Sequence, residues 1–91
     1  MSEAEVERIG KALADPRRRE LLEIVAKNPG LPCGELVARL GVSQPTISHH
    51  VGLLFEAELL DGVRDGKSTR LSARKDTISS YLSEISSRLA I

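Results

Sequence analysis

A short run at positions 43–50, Ser-Gln-Pro-Thr-Ile-Ser-His-His, holds a dense set of side chains able to make specific hydrogen bonds. It offers an amide at Gln44, hydroxyl groups at Thr46 and Ser48, and an imidazole at His49. An amide can bond adenine bidentately, hydroxyl groups can bond base edges or phosphates, and a threonine methyl group can contact thymine. The chemistry that suits this run is therefore hydrogen bonding to base edges.

Capping signals and periodicity predict that the run opens a helix extending to about residue 57. Ser43 is a good N-cap, and Pro45 fits the first turn. Ile47, Val51 and Leu54 recur at helical spacing and predict a buried face. With Ile47 inward, the four polar candidates lie on or near the outer face, and the helix N-terminus beside Ser43 favours phosphate. A well-capped surface helix is the alternative for any one of them, so the surrounding elements must decide.

The preceding elements complete a recognisable pattern. Helices are predicted at residues 3–14, from Pro16 to a break at 28–30, and at 33–40. Only residues 41–43, Gly-Val-Ser, separate the last of these from the helix that begins with the polar run. A short helix joined to a second one by a Gly-containing turn is the helix-turn-helix unit, whose second helix enters the major groove of DNA.

The periodicity then changes, and residues 59–63 and 68–71 are predicted strands. Asp65-Gly66 between them is a strong hairpin-turn signal. The hairpin carries three cations suited to neutralising phosphates, although solvated hairpins often carry such residues: Arg64, Lys67 and Arg70.

A last helix is predicted at 77–89, with Asp76 as its cap. The fold class is therefore mainly α with a small β-hairpin, in the order α-α-α-α-β-β-α, and we expect residues 1–91 to form one domain.

Two stretches, KALADPRRRELL at 11–22 and GELVARLGVSQPTISHH at 34–50, resemble winged helix-turn-helix regulators of the ArsR family. The likeness extends through Leu54, Glu56-Ala57 and the basic turn at Asp65-Gly66. It implies a symmetric homodimer, held by the first and last helices, that binds double-stranded DNA at an inverted-repeat operator. Apolar stripes on both helices agree with such an interface, although they could also pack on their own core. The predicted interface residues are Val6, Ile9, Leu13, Ile78, Leu82, Ile85 and Leu89.

Members of this family often sense metals, but the ligands of their sites do not match here. One family site uses a Cys-Val-Cys run, whose cysteine positions fall on Pro32 and Gly34 when aligned on the Glu35-Leu36 pair. Cys33 then occupies the apolar position between them and is interpreted as a small core residue. The other common site requires histidine on the last helix, which has none. We therefore expect no metal and no cofactor, and the sequence does not identify an effector.

Two departures from the family pattern lie in and after the fourth helix. Gly52 stands inside the helix, where glycine costs about 1 kcal/mol relative to alanine and a longer, often basic residue is common in the family. Glu58 stands where a glycine usually ends the helix. Because left-handed geometry strains a non-glycine residue, we expect the helix to end differently here.

Charge and composition set the remaining expectations. The chain has 13 basic and 13 acidic residues, so its zero net charge argues weakly against DNA binding. The charges are nevertheless segregated. Arg17, Arg18 and Arg19 cluster, as do the cations of residues 62–75, which is compatible with one positive face.

A single cysteine, an acidic N-terminus and the lack of a long apolar run predict a cytoplasmic protein without a membrane partner. His50 lies beside the apolar face of the fourth helix, and we expect it to be packed and hydrogen-bonded. No catalytic constellation is evident, so an enzyme is not expected. A winged-helix module that binds another protein instead of DNA remains the alternative.

Overall fold

The computed structural model describes residues 1–91 and contains five helices and three strands. They are α1 (Glu3–Ala14), α2 (Pro16–Lys27), β1 (Leu31–Pro32), α3 (Glu35–Leu40), α4 (Gln44–Glu56), β2 (Leu60–Asp65), β3 (Ser68–Ala73) and α5 (Lys75–Arg88). The strands form an antiparallel sheet in the order β1-β3-β2. The predicted winged helix-turn-helix fold is confirmed. Strand β1 was not predicted, because two residues are too few to show an alternating pattern.

Local capping fixes the first two helices. Ser2 and Glu5 form a capping box, in which the Glu5 amide donates to Ser2 Oγ at 3.1 Å and the Ser2 amide donates to Glu5 Oε1 at 3.0 Å. Asp15 then caps α2, because its Oδ1 accepts the amides of Arg17 and Arg18 at 2.7 and 3.3 Å. Proline follows in the first turn, where it lacks no needed hydrogen bond. Asp15 therefore separates α1 from α2 without an intervening loop.

Four predicted boundaries are wrong: the start of α3, the ends of β2 and β3, and the start of α5. Helix α3 begins at Glu35 instead of residue 33 and has no side-chain cap. The hairpin ladder runs from the pair Leu60 and Ala73 to the pair Asp65 and Ser68, so each strand ends two residues later than predicted and the turn is only Gly66-Lys67. Helix α5 begins at Lys75, so Asp76 lies within its first turn and does not cap it.

Fifteen buried apolar residues form one core. All three strands and the helices α1 to α4 contribute to it, whereas α5 does not. Ile9 is only 2% exposed and belongs to this core. Its assignment to a dimer interface is therefore wrong, since its side chain has no free surface to present. Leu13 and Ile78 are partly buried against the same core.

The C-terminus of α4 also departs from expectation. Glu58 adopts the left-handed conformation at φ 58° despite its side chain. The Leu59 amide donates to the Leu54 carbonyl and the Glu58 amide donates to the Phe55 carbonyl, both at 2.9 Å. This is a Schellman motif, and the buried side chains of Leu54 and Leu59 accompany it. The helix thus ends as glycine-terminated helices do, and the expectation of a different ending is wrong.

No helix of the chain combines the length and apolar character that crossing a membrane requires.

Candidate nucleic-acid interface

Helix α4 separates an apolar inner face from a polar outer edge. Ile47 and Leu54 are fully buried, and Val51 is 8% exposed. The four candidates on this helix are all exposed: Gln44, Thr46, Ser48 and His49. The inner face therefore fixes the direction in which the polar edge points.

Two weak local contacts order this edge. Ser43 caps the helix and shares a hydrogen bond of 3.0 Å between its Oγ and Thr46 Oγ1. Gln44 Nε2 donates to Ser48 Oγ at 3.2 Å, one helical turn away. Both contacts are exposed, so they are worth little net free energy and can be exchanged for bonds to a ligand. The side chains of this edge are therefore preorganised but remain free to bind a ligand.

The turn before α4 is held by one residue in the left-handed region. Gly41 has φ 66°, and its amide donates to the Val37 carbonyl at 2.9 Å. On either side, α3 buries Leu36 and Leu40 while α4 buries Ile47. These contacts set the angle between the two helices, and hence the position of the exposed edge.

The hairpin, which we call the wing, consists of β2, β3 and the Gly66-Lys67 turn. Arg64 is paired with Thr69 across the ladder, and Arg70 is paired with Val63. Because paired residues share a face and consecutive residues alternate, Arg64 and Arg70 lie on opposite faces of the wing. The sequence had grouped these cations, but they do not form one patch.

Hydrogen bonding also distinguishes the two arginines. Arg70 Nε lies 2.7 Å from Asp65 Oδ2, and its Nη1 donates to the Gly30 carbonyl at 3.2 Å. Arg64 makes only long contacts of 3.4 Å, to Thr69 Oγ1 and the Gly66 carbonyl. An ion pair already offsets the charge of Arg70, whereas Arg64 and Lys67 have no carboxylate partner.

A close approach seats the wing against α4. A Cβ atom added to Gly62 would lie 2.8 Å from Phe55 Cζ and 3.0 Å from Thr69 Cγ2. Real Cβ atoms do not come this close to a ring carbon, so any larger residue would push the wing and the aromatic ring apart. The sequence offered no signal for this role, because the contact depends on residues in two different elements.

The three arginines after Asp15 all donate hydrogen bonds to backbone carbonyls of the fold. Arg18 Nε and Nη2 donate to the Ala12 and Lys11 carbonyls at 2.9 and 3.0 Å. Arg19 Nη1 donates to the carbonyls of residues 13 and 14, at the end of the same helix. Arg17 Nη1 donates to the Leu40 carbonyl of α3 at 3.2 Å. Most guanidinium groups of this cluster are therefore bonded to carbonyls at helix C-termini, which favour cations, and do not form the expected positive face.

His50 is packed beside the buried face, as expected, but the expected hydrogen bond is not formed. It is 8% exposed, and its buried Nδ1 atom has no hydrogen-bond partner. Burial lowers its pKa below the ordinary 6.5, an effect that Asp15 opposes and that Arg18, His49 and Arg17 reinforce. Burial therefore favours the neutral form of this imidazole over the charged form.

Cys33 is partly buried against the core, and burial raises the pKa of its thiol. No group of three or more His, Cys, Asp or Glu side chains is arranged to hold a metal ion.

Helix α5 and its C-cap residue Leu89 carry apolar side chains that the rest of the chain does not cover. Leu82 is 61% exposed and Leu89 is 64% exposed, while Ile85 is half-buried. Arg88 forms an ion pair with Glu3 and connects the end of α5 to the start of α1. The predicted interface stripe therefore divides, with Ile78 turned toward the core and the later positions turned outward.

Comparisons with known proteins place this arrangement in a family. Residues 13–63 match the family described as "Helix-turn-helix domain". The transcriptional repressor SdpR of Bacillus subtilis (strain 168) is 35% identical over 57 residues, which are 63% of this chain and 62% of that repressor. Across this and the next relatives, the chain spans about half to two thirds of their length.

Solved structures agree with the fold. An ArsR-like transcriptional regulator from Rhodococcus sp. RHA1 superposes with a TM-score of 0.83 at 25% identity, covering 96% of this chain and 80% of that one. The homodimeric winged helix-turn-helix DNA-binding domain of a possible ArsR-family regulator from Mycobacterium bovis has a TM-score of 0.76. It is 22% identical, over 97% of this chain and 88% of that one. With its exposed α4 edge, basic wing and these matches, the chain belongs to the helix-turn-helix domain family, within the ArsR type of winged helix-turn-helix regulators.

Proposed function

We propose that the protein is a transcriptional regulator that binds double-stranded DNA sequence-specifically, as a homodimeric repressor at an inverted-repeat operator. The observation that carries the proposal is the outer edge of α4. Gln44 and its neighbours are exposed on a helix whose opposite face is locked into the core. A helix held in this way can enter the major groove with its first turns nearest the bases.

In this proposal, each residue of the interface has a role set by its chemistry. Gln44 reads a base edge, aided by Thr46, Ser48 and His49, because these side chains are exposed at the start of the helix. Ser43 and the N-terminus of α4 bind a phosphate. Arg64 and Lys67 neutralise phosphates beside the groove, while Arg70 contributes less because Asp65 already pairs with it.

Apolar side chains on the first and last helices support the proposed dimer. Leu82 and Leu89 expose more than half of their side chains, and Val6, Leu13 and Ile85 are partly covered. Apolar surface of this kind on a small protein marks an interaction site. Helix-turn-helix dimers read two half-sites about one helical turn apart, and a symmetric dimer of this chain would present one α4 helix to each.

Selection of bound DNA from a random pool tests the proposal. We expect an inverted repeat, and we expect binding to weaken steeply as salt rises. Gln44→Ala should relax the preference at one base pair in each half-site by about 1–3 kcal/mol. Lys27→Ala is the matched control, because Lys27 lies on α2 in an ion pair with Glu23. Absence of binding at low salt would exclude the proposal and favour a protein-binding winged helix.

The dimer is tested separately by light scattering after size exclusion. Leu82→Glu should give monomers, since it places a charge in the stripe without disturbing the core. A wild-type protein that is monomeric at high concentration would contradict the dimer while leaving the DNA-binding edge open to test.

A further inference from the structure

We propose that Arg17 is a positioning residue for recognition: it fixes the helix-turn-helix turn from outside and does not itself bind DNA. The proposal rests on the DNA-binding function proposed above. Arg17 Nη1 donates to the carbonyl of Leu40, the last residue of α3, at 3.2 Å. Twenty-three residues separate the two in the chain, so the bond ties the start of α2 to the start of the turn.

Both partners of this hydrogen bond are held in position by other contacts. The Arg17 backbone is fixed, because its amide donates to Asp15 Oδ1 at 2.7 Å. The Leu40 carbonyl is one of the last of its helix and has no partner within it. Leu40 itself is buried, so the carbonyl cannot move far. A guanidinium that donates to such a carbonyl makes a charge-assisted bond, which is stronger than a neutral one.

The turn needs an external tie because α3 is weakly determined by itself. It has only six residues and no side-chain cap at its N-terminus. Between Leu40 and the first residue of α4 lie only the three residues 41–43. A small rotation of α3 would therefore shift Ser43 and the edge that begins with Gln44. Sites of this kind lose function when supporting contacts allow displacements of about 1 Å.

Arg19 supplies a matched control within the same cluster. It also donates through Nη1 to carbonyls at a helix end, those of Leu13 and Ala14, but this helix is α1. Removing Arg19 therefore costs the same charge and the same kind of bond without touching the turn. Both arginines are exposed, so neither substitution opens a cavity.

The test compares Arg17→Gln with Arg19→Gln in fluorescence anisotropy, using the selected operator and an unrelated duplex. We expect Arg17→Gln to weaken operator binding about fivefold to tenfold, because the variant loses the charge-assisted hydrogen bond that holds the turn in place. Binding to the unrelated duplex and the salt slope should stay unchanged. Arg17→Lys, which keeps a donor, should recover part of the operator affinity. Arg19→Gln should leave the ratio of operator to unrelated affinity as in the wild type.

The possible results separate clearly. A uniform loss on both duplexes, with a salt slope lower by about one, would make Arg17 a phosphate contact and overturn the proposal. An unchanged affinity ratio in Arg17→Gln, or equal ratios in the two glutamine variants, would also overturn it. Shifts of the amide resonances of residues 41–43 in Arg17→Gln alone are the expected spectroscopic sign. If the wild type bound neither duplex, the proposed DNA-binding function would be refuted. The amide shifts of residues 41–43 would then still test whether the bond between Arg17 and Leu40 holds the turn.

Discussion

Replacing Glu58 by glycine should stabilise the protein, because this residue holds a left-handed conformation that favours glycine. Its φ of 58° lets the Leu59 amide reach the Leu54 carbonyl at 2.9 Å and end α4. Both partners in that bond are backbone atoms, so the substitution keeps the bond. What changes is the clash between the Glu58 Cβ atom and its own backbone.

The magnitude follows from two opposing effects. A non-glycine residue in this region carries about 1–2 kcal/mol of strain. Glycine in turn loses about 0.5–1 kcal/mol more conformational entropy on folding. The difference predicts that Glu58→Gly raises the free energy of unfolding by about 0.5–1 kcal/mol. At about 2.1 cal/mol/K per residue, a chain of this size should show a Tm higher by about 3–5 °C.

Thermal and urea unfolding followed by circular dichroism measure this change at one fixed protein concentration, since the proposed dimer would make stability depend on concentration. Glu58→Ala is the control. It removes the carboxylate and its weak attraction to Arg74, but it keeps the Cβ atom and its strain. A glycine variant no more stable than the alanine variant would refute the strain argument.

Three further results are expected. Gly62→Ala should destabilise the fold by about 1 kcal/mol in urea titrations, the lower end of the overpacking range, because its Cβ would lie 2.8 Å from the Phe55 ring but this ring is 37% exposed and can shift; Phe55→Leu in the same chain should recover part of the loss. No loss in the single variant would contradict the close approach. Arg64→Ala should lower the salt slope of DNA binding by about one and Arg70→Ala by less, because only Arg70 has an ion pair; equal slopes in anisotropy titrations would count against this. The pKa of His50 is lowered in the folded state, so the unfolded state binds the proton more readily. Stability should therefore be complete above pH 6.5 and fall as the pH drops below it, and His50→Gln should reduce this dependence in urea unfolding from pH 7.5 to 5. Parallel pH profiles of wild type and variant would show that another group is responsible.

Signals that involve neighbouring residues were readable from the sequence. Ser43 with Pro45 marked the start of α4, and Asp15 with the following proline marked the start of α2. The spacing of Ile47 and its apolar partners then determined which side of α4 faces inward, and so which polar residues are exposed. These features depend on contacts within about one helical turn, which residue types and spacing encode directly.

Tertiary structure decided the features that depend on distant partners. Arg17 reaches a carbonyl 23 residues away, and Arg70 reaches one 40 residues away, so the same residue type became a structural tie in both places. Strand β1 exists only because β3 pairs with it, and Gly62 matters only because the Phe55 ring lies against it. Ile9 had the helical spacing of an interface residue, but packing placed it in the core. Local pattern specifies which residues share a face, whereas only the packed chain determines what that face meets.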